Sequence, residues 1–173
     1  MFVYSNEVND LPISESYLEY SDAYLFSAIT ICNALIENPD QLTYTRGCAC
    51  IFNARLSVEL FLKAALIKKN PNNQSYHAIE KLGSLYKKNY PEPQYHWDIP
   101  FMVEVLGASS EEEKEQITAE HIKEMPHDQF LRYPTNKSGK PWKVADSFSA
   151  RGFMEVLNVI QADMRRLKHA IFS

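Results

Sequence analysis

The 173-residue sequence has no uninterrupted apolar run of about 18 residues, the length that a membrane-spanning helix needs. Its amino terminus lacks the basic region, apolar run and small-residue cleavage site of a secretory signal. Cysteine is scarce and odd in number, because the chain holds three, so a complete disulfide framework is excluded. These absences predict a cytoplasmic protein that makes no membrane contact.

Several enzyme signatures are also missing. The sequence has no Gly-rich phosphate loop, no Gly-x-Ser-x-Gly elbow and no His-Glu-x-x-His. A net charge of -4 argues against a protein that coats nucleic acid, because such domains are strongly basic. We predict no metal and no cofactor, because two sets of candidate ligands lack a recognised spacing: His121, His127 and Asp128, and His77, His96 and Asp98.

What remains is ordinary globular composition, with 45% hydrophobic and 23% charged residues. A chain of this length predicts one domain over residues 1–173. Apolar residues recur at helical spacing in segments 16–37, 44–69, 77–89 and 147–172, and the pattern Ser110-x-x-Glu113 resembles a capping box. No segment makes a persuasive strand. The sequence therefore predicts an all-α helical bundle with long second and last helices.

Three strings carry a family resemblance. ARLSVELFLKAALIKK, followed by YHAIEKLGSLYKK, resembles the second and third helices of HEPN proteins, which often have an ELxLKA-like helix and then a histidine. Those positions here are Glu59, Leu60, Leu62, Lys63, Ala64 and His77. FLRYPTNKSG is similar to an Arg-Tyr-Pro loop before the last helix of some of these proteins. The three strings cover roughly a quarter of the chain.

The resemblance implies a HEPN-like helical bundle that forms a homodimer, and often a metal-independent ribonuclease in toxin-antitoxin or antiphage systems. Its implied catalytic motif is Arg-x(4–6)-His, built across the dimer interface. Some members have lost this motif. The candidates in this sequence, Arg165 and His169, have three residues between them and lie late in the last helix.

Arg165 and His169 share a helical face, because they are four residues apart. In a ribonuclease of this kind the histidine would act as a general acid or base, and the arginine would stabilise charge on the phosphate. The alternative is a cationic last turn that complements the helix dipole, with Lys168 taking part.

A second set of charges lies on the central helix. Arg55, Glu59 and Lys63 follow one another at four-residue intervals among apolar neighbours, and His77 begins the next predicted helix. Charges in such surroundings must be paired or lie beside a cleft. They are interpreted as the wall of a polar site or, alternatively, as structural ion pairs that orient helices.

The third candidate is a loop before the last helix. Its basic side chains, with no acidic residue among them, alternate with aromatic ones: Arg132, Tyr133, Lys137, Lys140, Trp142 and Lys143. Basic groups bind phosphate and aromatic faces stack on bases, so this loop is the candidate contact for RNA or a nucleotide. A solvated loop with two packed aromatic rings is the alternative.

Two functions follow from these patterns. The first is an RNA-related role, either cutting or binding RNA. The second is a noncatalytic interaction module that pairs with itself or with a partner such as a nucleotidyltransferase. Cys48 and Cys50 are interpreted as core residues rather than redox centres.

Overall fold

The computed structural model describes residues 5–72, 76–102, 110, 112–113, 116–117, 119–120, 127–142 and 147–173. Its helices are α1 (Asn6–Asn9), α2 (Ile13–Glu37), α3 (Tyr44–Lys69), α4 (Ile79–Asn89), α5 (His127–Phe130) and α6 (Ala150–Phe172). Short 3₁₀ turns occupy Pro39–Gln41 and Pro93–Tyr95. The described residues contain no strand, only an isolated bridge between Thr135 and Pro141. The predicted all-α bundle is confirmed.

Local chemistry explains most helix boundaries. Thr43 caps α3, since its hydroxyl accepts the Arg46 amide at 3.3 Å, and Ser149 caps α6 by accepting the Gly152 amide at the same distance. The bounds of α3 agree with the sequence prediction. The other two long helices each differ by three residues at their first turn, where α2 begins after Pro12 and α6 begins after the Ser149 cap. α4 begins two residues later than predicted.

The predicted capping box falls partly outside the described residues. The Ser110 hydroxyl accepts the Glu113 amide at 3.1 Å, which is the bond that an amino-terminal cap makes. Residue 111, between them, lies outside the described part of the chain, as do His121 of the candidate ligand sets and Lys143 of the basic loop.

Two antiparallel contacts define the bundle. α2 runs against α3, because the Ser21 hydroxyl donates to the Ser57 carbonyl at 2.8 Å and the Cys50 thiol donates to the Ala28 carbonyl at 3.2 Å. α6 runs against another side of α2, where Lys168 pairs with Asp22 at 2.7 Å and the Cys32 thiol donates to the carbonyl at the start of α6. All three cysteines are free and buried.

The core lies between these helices. α6 contributes a buried row at spacings of three and four: Leu157, Ile160, Met164 and Leu167. That row therefore packs inside the fold. α4 and the segment after it add Tyr86 and the buried Trp97, whose ring meets Phe61 edge to face at 5.4 Å. Among the described helices, none has the length and apolar character that crossing a bilayer requires.

Candidate functional site

The polar wall of α3 is a compact ion-pair cluster. Lys63 is only 5% exposed, and its ammonium lies 2.7 Å from the Glu59 carboxylate. Because α3 is a regular helix, four-residue spacing places these two side chains on one face. His77, which precedes α4, lies against the same carboxylate oxygen at 3.1 Å. The structure therefore brings together three of the four residues predicted for the wall.

The histidine can bond in only one of two ways at a time. His77 Nδ1 lies 3.1 Å from Glu59 Oε1 and 3.3 Å from Lys63 Nζ. A ring that carries hydrogen on Nδ1 donates to the carboxylate, whereas a ring with a bare Nδ1 accepts from the ammonium. The His77 side chain is otherwise open to solvent, 85% exposed. His77 is thus the solvent-facing member of the cluster, while Glu59 and Lys63 form its mostly buried ion pair.

Arg55, the fourth wall residue, contacts a different element. Its guanidinium donates to the Phe101 carbonyl at 3.3 Å and lies 5.5 Å from the centre of that ring. Phe101 has φ +66°, a left-handed conformation that a bulky residue rarely adopts. Arg55 therefore stabilises a strained turn after α4. No sequence pattern predicts this contact, since the partners are 46 positions apart.

The basic loop docks on the same row of α3. The Arg132 guanidinium lies 5.3 Å from the ring centre of Phe52 and at the same distance from that of Tyr133. Phe52 is three residues before Arg55, so the loop adjoins one end of the wall. Phe52 is one of the apolar neighbours of the charges on α3. Its position in the row of charges was the available signal.

A hairpin-like turn presents the lysines of the loop. Asn136 bonds the Lys140 carbonyl through its backbone amide at 2.9 Å, and its side-chain oxygen accepts the Lys140 amide at 3.1 Å. Gly139 has φ +75°, which glycine adopts without strain. Trp142 fixes the base of the turn, since its indole donates to the Tyr133 carbonyl at 2.9 Å. Lys137 and Lys140 are exposed, and Tyr133 is 54% exposed.

The predicted catalytic pair lies elsewhere. Arg165 and His169 are both exposed on the outer side of α6, one turn apart as predicted. His169 Nδ1 lies 3.0 Å from the Ser173 hydroxyl. Within the described parts of the chain, neither residue contacts the loop or the wall. The neighbouring Lys168 pairs with Asp22 of α2 at 2.7 Å.

Two further features bear on chemistry. A cleft of about 430 Å³ beside α4 is lined mainly by aromatic rings, of which Tyr86, Tyr90 and Trp97 are buried in the core. Burial raises the pKa of the Cys50 thiol to about 12, so the group stays protonated and is not a nucleophile at neutral pH. The described residues hold no cluster of three or more His, Cys, Asp or Glu side chains that a metal ion would need.

Comparisons with known proteins add no family assignment. The chain matches no protein-family model, no curated protein and no solved structure. The HEPN resemblance therefore rests on the three sequence strings alone.

Proposed function

We propose that this protein binds RNA through residues 131–142, here called the Arg132 loop, together with Phe52 of α3. The observation that carries the proposal is the docking of Arg132 between Phe52 and Tyr133, next to two exposed lysines. Such a surface combines cationic groups for phosphate with an exposed ring for a base.

The electrostatics of the Arg132 loop favour an anionic partner even though the whole chain is acidic. Residues 129–142 contain no Asp or Glu, whereas the chain has a net charge of -4. Packing against Phe52 holds Arg132 in place, which lowers the entropy lost when it binds a phosphate. A local basic patch of this size fits a short single-stranded segment better than a long duplex.

Cleavage by Arg165 and His169 is the second part of the proposal, in keeping with a HEPN-like, metal-independent ribonuclease in a toxin-antitoxin or defence context. Both groups are open to substrate on α6. Histidine would remove the proton of the ribose 2′-hydroxyl as that oxygen bonds to phosphorus, and the bond from phosphorus to the 5′-oxygen would break. The protonated histidine would return its proton to this leaving oxygen, and arginine would stabilise the charge that develops on phosphate. Because this pair and the Arg132 loop share no described contact, binding and cleavage are tested separately.

The binding test measures fluorescence anisotropy of a labelled single-stranded RNA with chelator present. We expect Arg132→Ala and Tyr133→Ala each to weaken binding by about tenfold, the scale of one lost stacking or phosphate contact. Lys87→Ala is the matched control, because this lysine is exposed on α4 away from the loop. Equal affinity for all four proteins would overturn the proposal.

The cleavage test uses the same RNA with purified protein and chelator. Cleavage that disappears in folded His169→Ala and persists in Lys87→Ala supports the ribonuclease. Absence of cleavage, or cleavage that survives the His169 substitution and so reflects a contaminant, contradicts it.

A noncatalytic interaction module is the second candidate, pairing with itself or with a partner such as a nucleotidyltransferase. The contacts of the polar wall on α3 favour it, because Glu59 and Lys63 bind each other and Arg55 donates to the Phe101 carbonyl. Groups used in this way orient helices rather than bind substrate. A wild-type protein that neither binds nor cleaves RNA in the two tests above, but does self-associate, would favour this candidate. A cytoplasmic location is part of either proposal.

A further inference from the structure

The cleft beside α4 has no part in the function proposed above. It lies between the last turns of α4 and the segment that follows, and four aromatic side chains line it: Tyr86, Tyr90, Tyr95 and Trp97. Its volume of about 430 Å³ falls in the roughly 300–1,000 Å³ range of small-molecule sites. None of its lining residues belongs to the Arg132 loop or to the pair of Arg165 and His169. The cleft is therefore a separate place for a small ligand.

Ring contacts and one arginine hold the walls of the cleft in place. The ring of Tyr90 stacks on that of Tyr86 at 5.1 Å and meets that of Tyr95 edge to face at the same distance. Arg166 of α6 donates to two carbonyls of the segment after α4, each at 2.7 Å. Because these contacts already fix the walls, a ligand that binds there loses little free energy to ordering them.

The hydrogen-bonding groups of the walls are used unevenly. The carbonyls of residues 92–96 each accept a hydrogen bond from the protein, at 2.7–3.1 Å. By contrast, the Trp97 indole N–H is buried, and no described group accepts its hydrogen. A buried donor without an acceptor is unfavourable. A ligand that brings acceptors therefore complements these walls better than one that brings donors.

The charges that line the cleft include one lysine and one glutamate. Lys87 is exposed, and no acid among the described residues pairs with it. The Lys69 ammonium adds a second cation, 5.3 Å from the centre of the Tyr90 ring. Glu92 is exposed and is the acidic residue of the lining. Two cations beside one carboxylate favour an anionic ligand at this cleft.

Two other acids lie close by without lining the cleft. Asp163 is paired with Arg166 at 3.0 Å. Asp98 is 95% exposed, and its carboxylate lies 3.9 Å from the ring of His96. The negative charge that a ligand would meet on the lining is therefore that of Glu92.

We propose that this cleft binds a small aromatic carboxylate, with its ring against Tyr95 and Trp97 and its carboxylate on Lys87. An ionised carboxylate brings acceptors and no donor, and its bond to an ammonium is charge-assisted. A planar ring packs against aromatic walls edge to face or offset. An aromatic amine brings the opposite groups, since it adds donors and a positive charge next to Lys87. The inference does not depend on RNA binding.

The first test follows the indole N–H signals of the full-length, ¹⁵N-labelled protein by NMR. The chain has two tryptophans, so Trp142→Phe identifies the signal of Trp97. We expect phenylacetate to shift the Trp97 signal with a dissociation constant below about 1 mM, the scale for a ligand of this size, and to leave the Trp142 signal in place. Phenethylamine, which has a similar ring and chain but carries an ammonium, should not shift it. A Trp97 signal unmoved by about 10 mM phenylacetate, or moved equally by both compounds, overturns the proposal.

The second test assigns the carboxylate contact. Lys87→Met should weaken phenylacetate binding by about tenfold, because it removes a charge-assisted bond. Lys88→Met is the matched control, since Lys88 is the next residue of α4, is also exposed and does not line the cleft. Glu92→Gln should strengthen binding about twofold, because it removes the negative charge of the lining. Equal weakening by both lysine substitutions would reduce the effect to general charge and contradict the contact.

A nucleotide is the competing occupant, and the same spectra test it. Uridine monophosphate also carries a ring and an anion, but its base adds an N–H donor. If it shifts the Trp97 signal at a lower concentration than phenylacetate does, the cleft is a nucleotide site and the proposal is wrong. We expect it to bind more weakly. This result stands whether or not the Arg132 loop binds RNA, because the two sites share no residue.

Discussion

Two pairs of polar residues have the same spacing on long helices and very different surroundings. Glu59 and Lys63 on α3 are mostly buried and contact each other at 2.7 Å, with His77 beside them. Arg165 and His169 on α6 are exposed to solvent. The chain before α4 covers the first pair, and no described element covers the second. A four-residue spacing therefore predicts that two side chains share a helical face. The neighbouring element decides whether that pair is buried and stabilises the fold or is exposed and open to a substrate.

The largest effect should come from breaking the buried pair. Lys63→Ala removes an ammonium that is 6% exposed and leaves Glu59 with His77 as its remaining described partner. We expect the free energy of unfolding to fall by about 2–4 kcal/mol, because removing one partner of a buried ion pair costs about 3–5 kcal/mol and His77 still contacts the remaining carboxylate. Urea denaturation followed by circular dichroism measures it.

A double variant provides the control for that experiment. Glu59→Gln combined with Lys63→Met removes both charges and keeps most of the volume, so it should recover much of the lost stability. If Lys63→Ala lowers the free energy of unfolding by less than about 0.5 kcal/mol, the Glu59–Lys63 pair contributes no more than an exposed ion pair does. It would then not differ from the exposed pair of residues on α6.

Buried thiols between α2 and α3 predict a dependence on pH. Burial raises the pKa of Cys50 from 9.0 to about 12, and it also raises the pKa of Cys32. Between pH 9 and 12 the unfolded chain therefore binds fewer protons than the folded chain, so stability falls as pH rises. The contribution of Cys50 is fully present below pH 9, and about 1 kcal/mol of it should be lost by pH 10.

The measurement is a series of urea denaturations from pH 8 to 10. This window stops at pH 10.0, the ordinary pKa of tyrosine, so it limits the contribution of Tyr90, whose pKa burial raises to about 12. Cys50→Ala should flatten the dependence on pH, whatever its effect on stability at pH 8. An unchanged slope in that variant would show that Cys50 titrates normally.

An intermediate case links the two extremes. Lys168 and Asp22 pair at 2.7 Å between α6 and α2, and both side chains are nearly half exposed. We expect a coupling free energy of about 0.5 kcal/mol from a double-mutant cycle of Asp22→Asn and Lys168→Met, because water screens the pair. High salt should reduce it further. A coupling free energy as large as that between Lys63 and Glu59 would mean that the exposure of an ion pair does not determine how much the pair stabilises the protein.

The sequence predicts the helices well because their signals are local. The helical spacing of apolar residues and stop signals such as Asn70-Pro71 each involve only a few neighbouring residues. The bounds of α3 could therefore be predicted from the sequence. The site depends on partners far along the chain. Arg55 with Phe101 and Arg132 with Phe52 are pairs that only packing brings together. The sequence offered the wall both as a site and as a structural pair, and the contacts of Lys63 support the structural role.

The smallest effect on stability should come from Arg165 and His169. Arg165→Ala and His169→Ala should each change the free energy of unfolding by no more than about 0.5 kcal/mol, because both side chains are exposed and neither fills the core. Paired urea denaturation and RNA-cleavage assays read the two properties on the same samples. Loss of cleavage without loss of stability would assign the pair to chemistry, since a structural role changes both together. A destabilisation above about 1 kcal/mol would instead give the carboxyl-terminal turn of α6 a packing role, which Ser173 beside His169 would share.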